Sequence, residues 1–305
     1  MRAGLRTAVL AVAFTVLAAT PAMASGGYVA LGDSYSAGSG LFPLAKNPAV
    51  TDFCAQSTRN YPKLVRRALG FPAFTDETCG GARTVDMLAP QTLLGTASGV
   101  TGGAARGPFD LRQNGPQFNA LRPDTALVTL GIGGNDIGFA EIIGRCISVV
   151  PTGTKCRNHF VLDGDDAIRA RIDGLRPLLL GVLQGIRERS PNARIVTIGY
   201  PRILPPNPRQ CWPQLPVTGN DAVWLEGIQR YLNQAIRETT VAFGAEYADV
   251  ERASLGHDAC QRAASRRWVE PAIPAGSLAI VHPSARGEQG MADAMLAVLE
   301  RSGTG

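Results

Sequence analysis

The sequence predicts an α/β protein built on an open, mostly parallel sheet with helices on both faces. Three observations carry that expectation. Short apolar runs rich in β-branched residues stand at 28–31, 126–130 and 195–198, and runs of that length bounded by turn signals read as buried strands. Longer stretches with helical periodicity lie at 61–69, 166–189, 221–243 and 284–300. The two kinds alternate along the chain, the signature of crossover connections in a parallel sheet.

The first element is not part of that fold. A basic start through Arg6 leads into an apolar run over 7–19 and then Ala22-Met23-Ala24 before Ser25, the pattern of a secretory signal peptide occupying 1–24. The apolar run is short for a bilayer, and no later stretch approaches the roughly 20 apolar residues a spanning helix needs. A soluble, exported domain over 25–305 is expected. Its roughly 280 residues suffice for one large core.

The first strand, 28–31, runs directly into Gly32-Asp33-Ser34-Tyr35-Ser36. The helix at 61–69 follows, and 74–78 is a weaker strand leading to Cys79-Gly80-Gly81-Ala82. The strand at 126–130 runs into Gly131-Ile132-Gly133-Gly134-Asn135-Asp136. After the helix at 166–189 comes the strand at 195–198, then the helix at 221–243, the weaker strand at 245–250 and the last helix. Stretches 95–107, rich in Gly, Ala and Thr, and 201–216, rich in Pro, read as surface loops. In an open parallel sheet, ligands bind beyond the carboxyl ends of the strands, which is where the three glycine-containing motifs fall.

Charge and cysteine content narrow the function classes. The formal net charge is +5, of which Arg2 and Arg6 belong to the leader, leaving +3 scattered over the mature chain. Such a balance argues against nucleic acid as a partner. Six cysteines, Cys54, Cys79, Cys146, Cys156, Cys211 and Cys260, accompany an export signal, so disulfides are the natural reading. Six allow 15 connectivities; neighbour pairing would give Cys54 with Cys79, Cys146 with Cys156 and Cys211 with Cys260. A metal site is the poorer alternative, because no C-x-x-C pair occurs.

Ser34, set among small residues at a strand end, has the surroundings of an exposed nucleophile, but a serine hydroxyl needs an adjacent base. Taken alone, the motif reads more simply as a turn in which Ser34 or Ser36 caps a helix. Attack on an ester carbonyl also requires donors for the oxyanion. The Gly81 backbone and the Asn135 amide can supply them, although a tight turn and an Asx-turn explain the same residues separately. Asp33 and Asp136 are expected to organise these turns through local hydrogen bonds. Of the three histidines, His159 and His257 lie near expected disulfides and read as exposed loop residues. His282 follows an apolar stretch and precedes Pro283-Ser284 and the last helix, which places it on a rigid loop. No G-x-S-x-G occurs, so the α/β-hydrolase nucleophile elbow is disfavoured.

With Ser34, Gly81, Asn135 and His282 in this order, the chain resembles the SGNH, or GDSL, hydrolase family, and particularly the secreted lipases and esterases of actinomycetes. The four blocks span essentially the whole mature chain, so 25–305 is expected to be one catalytic domain. The resemblance implies a flavodoxin-like three-layer α/β/α sandwich, three disulfides, no metal or cofactor, and a catalytic pair of Ser34 and His282. It implies an oxyanion hole from Ser34, Gly81 and Asn135. Relatives generally carry an Asp three residues before the histidine, where this chain has Ala279. The resemblance therefore implies a Ser-His dyad whose ring is oriented by the backbone carbonyl of Ala279 or Ile280.

The expected activity is hydrolysis of lipid-like carboxylic esters outside the cell by a monomer, through an acyl-enzyme. Leu41, Phe42 and Leu44, and Ile137, Phe139 and Ile142, are candidates to line an acyl pocket, although core packing explains any one of them as well. The alternatives are a carbohydrate O-acetyl esterase and, less favoured, a secreted binding protein without turnover.

Overall fold

The computed structural model describes residues 26–46, 54–92, 113–148, 150–273 and 278–301. The leader and the 95–107 stretch lie outside them. Five parallel strands form the central sheet: β1 (Tyr28–Gly32), β2 (Phe74–Asp76), β3 (Leu127–Gly131), β4 (Arg194–Ile198) and β5 (Glu246–Ala248). Their spatial order is β2-β1-β3-β4-β5, the flavodoxin-like arrangement, in which the chain reverses its winding direction between β1 and β3. The register sets Gly32 beside Gly131, so the Ser34 turn and the Gly133-Gly134-Asn135 turn leave the sheet side by side at that switch point. Both weaker strand expectations hold with shorter bounds.

The strands alternate their side chains between two cores, as a pleated sheet buried on both faces must. Val29, Leu31, Val128, Leu130 and Ile195 pack against α4 (Ala167–Arg189) and α5 (Gly219–Phe243). Tyr28, Ala30, Leu127, Val196 and Ile198 pack against α2 (Tyr61–Leu69) and α6 (Ala285–Arg301). The result is the three-layer sandwich expected.

Helix boundaries follow from their caps. Asp166 accepts from the Ile168 and Arg169 amides and Thr218 from the Asp221 amide, which places the helix starts one residue later and two residues earlier than the apolar pattern marks them. A side-chain oxygen at the N-cap meets amides that have no intrahelical partner. Two short helices near the site lie outside the periodic segments: α1 (Ser34–Ala37) and α3 (Phe139–Cys146). All six cysteines are paired, Cys54–Cys79, Cys146–Cys156 and Cys211–Cys260, the neighbour connectivity. Among the described residues no helix is long and apolar enough to cross a membrane.

Candidate active site

The serine turn is built by a tight strand exit. At Gly32 φ is +151°, and a Cβ there would lie 2.5 Å from Ser36 Oγ and 2.6 Å from the Gly131 carbonyl, so only glycine fits. Gln117 clamps this residue, accepting from its N–H at 2.8 Å and donating to its carbonyl at 2.9 Å. Asp33 then caps α1, its Oδ1 accepting from the Tyr35 amide at 3.0 Å. Ser34 follows at the helix start, half-buried, with its Oγ 2.9 Å from His282 Nε2.

The histidine arrives on a loop bent hard enough to give Val281 a φ of +60°, a conformation costing a β-branched residue on the order of 1–3 kcal/mol. Several hydrogen bonds hold the bend. Tyr35 Oη donates to the Val281 carbonyl, the Val281 amide donates to the Glu270 carbonyl at 3.0 Å, and the Glu270 amide to the His282 carbonyl at 3.0 Å. The Tyr35 ring also lies against the imidazole, centroids 4.9 Å apart. The ring's other nitrogen, Nδ1, is 2.9 Å from the Ile280 carbonyl. Ala279 instead accepts from the His282 backbone amide at 2.8 Å, so of the two expected carbonyls it is Ile280 that faces the ring.

A ring Nδ1–H donating to Ile280 leaves Nε2 as the acceptor facing Ser34, the tautomer a general base needs. Burial pushes the imidazole below its ordinary pKa, against a smaller upward pull from the Ile280 carbonyl. Among the described residues no carboxylate hydrogen-bonds this ring. Asp258 accepts from Cys260 and Gln261, and Glu288 from the Tyr61 amide. The other histidines lie elsewhere. His159 is exposed, whereas His257 is half-buried, stacked on Trp268 with Nδ1 2.6 Å from the Arg266 carbonyl, rather than the exposed loop residue expected.

The donor side is tied to the serine turn from beneath. The Cys79 amide bonds the Gly32 carbonyl at 2.9 Å and the Gly80 amide the Cys54 carbonyl at 3.0 Å, so the first disulfide and β1 together fix the Gly81 turn, where φ is +78°. Asn135 Nδ2 donates to the Ala82 carbonyl at 2.9 Å. One amide hydrogen is thereby committed to orientation and the second left for a ligand. Asp136 reaches beyond its own turn: its carboxylate accepts from the Thr84 amide at 3.1 Å and hydroxyl at 2.5 Å, joining the Asn135 turn to the segment after Gly81. Asp33 likewise reaches beyond its own turn, its Oδ2 accepting from Tyr200 Oη at 2.6 Å. Burial is the main force lifting its carboxyl to about 7.

Beside the Ser34 hydroxyl opens an apolar cavity between α3, α5 and the 203–217 segment. Ile137, Phe139 and Ile142 line it as expected, joined by Leu204, Leu215, Leu225 and Leu232. Leu41, Phe42 and Leu44 do not: the chain after α1 turns outward, leaving Phe42 and Leu44 exposed. The 201–216 stretch is also more than a surface loop, because Leu204 and Leu215 are buried. Gln229 holds this segment with both ends of its amide, at the Pro201 carbonyl and the Ile203 amide, and the Cys211–Cys260 disulfide anchors it.

The geometry agrees with what the chain is similar to. Residues 30–289 match the model of the GDSL-like lipase/acylhydrolase family. The chain belongs to that family. Lipase 2 of Streptomyces coelicolor is 39% identical over 278 residues, covering 89% of this chain and 85% of its own. Two crystal structures align with 90% of this chain and 99% of theirs, each at 26% identity: a phospholipase A1 from Streptomyces albidoflavus, TM-score 0.65, and an extracellular lipase from Streptomyces rimosus, TM-score 0.63. This GDSL-family chain is therefore a lipase or esterase.

The structure brings Ser34 and His282 into contact and sets Ser34 and Asn135 on one cavity, with Gly81 in the turn whose next residue, Ala82, accepts from Asn135. Sequence reasoning missed Tyr35 and Tyr200. Tyr35 stands beside the serine, a signal of sorts. Tyr200 lies two residues past β4, on the same edge of the sheet as the other motifs, and that placement was the available clue.

Proposed function

We propose that the protein is an exported, monomeric serine ester hydrolase that cleaves lipid-like carboxylic esters through an acyl-enzyme on Ser34. The observation that carries this reading is the 2.9 Å contact of Ser34 Oγ with His282 Nε2 at the wall of an apolar cavity. In the proposed cycle, His282 takes the serine proton as Oγ bonds the ester carbonyl carbon. The resulting oxyanion meets the amides of Ser34 and Gly81 and the free hydrogen of Asn135 Nδ2. The intermediate collapses, the ester C–O bond breaks, and His282 returns the proton to the departing alkoxide. Water repeats the sequence on the acyl-enzyme and frees Ser34.

The cavity favours an aliphatic acyl group. Ile147 and Ile280 line it while remaining 46% and 42% exposed, so the mouth is apolar as well, and each buried methylene of a chain gains about 0.8 kcal/mol. A carbohydrate O-acetyl esterase has no use for such a lining. Three disulfides support export, since such bonds persist in oxidising compartments. The test is hydrolysis of p-nitrophenyl esters from acetyl upward, with phospholipid and acetylated xylan alongside, and labelling by a fluorophosphonate. Rising kcat/KM with acyl length and labelling at Ser34 are expected. Preference for acetylated xylan would overturn the lipid reading, and absence of labelling the serine mechanism.

A further inference from the structure

Tyr200 is not among the four motif positions, yet it touches two of the turns that carry them. The residue is 6% exposed. Its hydroxyl donates to Asp33 Oδ2 at 2.6 Å and accepts from the Gly134 amide at 2.7 Å. Asp33 in turn accepts from the Tyr35 amide through Oδ1. A single buried line thus runs from the serine turn, through a carboxylate and a phenol, to the Gly133–Gly134 peptide, one peptide ahead of Asn135.

Each member of the line is fixed from outside. Asn233 on α5 grips the Tyr200 backbone, accepting from its amide at 2.8 Å and donating to its carbonyl at 3.0 Å. The Tyr35 ring meets the Tyr200 ring edge-on, centroids 5.1 Å apart. Gly134 lets the backbone come close: a Cβ there would stand 3.1 Å from the phenol oxygen. The hydroxyl can serve both turns because one oxygen donates and accepts at once. Burial strengthens both bonds and makes the loss of either costly.

We infer that Tyr200 is a positioning residue for the oxyanion hole, its phenol holding the Gly134 peptide, and through it Asn135, at a fixed distance from Ser34 by way of Asp33. The inference rests on the roles proposed above for Ser34 and Asn135. It differs from a pocket-wall role, in which the ring alone matters. Oxyanion donors act on a charge present only in the transition state, so disturbing their placement lowers kcat and leaves KM nearly unchanged. A displacement of about 1 Å can cost ~10²-fold in rate.

The test compares Tyr200→Phe, Asp33→Asn and the double variant with wild type, using a soluble p-nitrophenyl ester, fluorophosphonate labelling rates and thermal midpoints. Tyr200→Phe keeps the ring and deletes the hydroxyl. Asp33→Asn places an amide donor against the phenol, so the Gly134 amide must share its acceptor. Each single change is expected to lower kcat about 10- to 100-fold with KM within about threefold, and to slow labelling in proportion. The double variant is expected to be no more than about threefold worse than the poorer single, because both changes cut one line. Either single variant, if the other does not fold, carries the same expectation. A kcat within about twofold of wild type, a change confined to KM, or losses that multiply in the double variant would each overturn the inference. Normal labelling in all variants overturns it alone; absence of labelling on wild-type Ser34 overturns the nucleophile assignment as well.

Discussion

The two halves of the site are held by different means. Ser34 and Asn135 leave adjacent sheet strands and are fixed from below by the buried Gln117, Asp33 and Tyr200 and the half-buried Asp136. His282 rides a loop whose neighbours Leu278 and Ile280 are 77% and 42% exposed, and its ring is oriented by a main-chain carbonyl. The described carboxylates of the site therefore sit on the donor side, where they organise turns, and among the described residues none hydrogen-bonds the base. A carbonyl dipole fixes the tautomer but offers an imidazolium less than a carboxylate does. On this reading, tight preorganisation of the donors carries more of the transition-state stabilisation than support of the base.

Removing the chemistry on either half has the largest expected effect. Ser34→Ala and His282→Ala should each lower kcat by on the order of 10⁶ while the protein stays folded, as measured by ester turnover together with circular dichroism. Substitution of His159 or His257 should leave kcat within about tenfold, since neither ring reaches the serine.

Asn135→Ala should lower kcat by about 10² to 10³ with little change in KM. Steady-state kinetics on a soluble ester will show it, and a change in KM alone would make Asn135 a substrate-binding residue instead.

A smaller effect separates function from stability at Asp33. Burial lifts its folded-state pKa from 3.8 to about 7. As pH rises across that interval the unfolded chain gives up this proton before the folded one does, so this group's contribution to stability falls. Asp33→Asn should remove that slope, so the difference in thermal midpoint between variant and wild type should shift in the variant's favour between pH 4 and pH 8, even as turnover declines. A buried carboxylate kept at the cost of stability is the pattern expected of a site residue.

Much of this was legible in the sequence because it was local. The alternation of apolar runs gave the layers, and motifs immediately after strands gave Ser34, Gly81 and Asn135. Cysteines paired with their neighbours as the simplest connectivity suggests. What the sequence hid is long-range. Tyr200 lies 167 residues from Asp33 and reaches it only because β4 ends on the same edge of the sheet. The outward course of Phe42 and Leu44, and the inward course of Leu204 and Leu215, follow from loop paths that no periodicity encodes. The Ile280 carbonyl faces the ring, in place of Ala279, because the bend at Val281 turns it there.

His282 is backed by the Ile280 carbonyl, and among the described residues no carboxylate hydrogen-bonds its half-buried ring. NMR titration of the three imidazoles, with His282→Ala assigning the resonance, tests it most directly. A carboxylate partner raises a histidine pKa, whereas burial lowers it. The His282 midpoint is expected below the ordinary 6.5 and unmoved by Asp258→Asn, Glu270→Gln or Glu288→Gln. A midpoint above 6.5 that falls when one of those carboxylates is replaced would contradict the dyad and identify the missing acid.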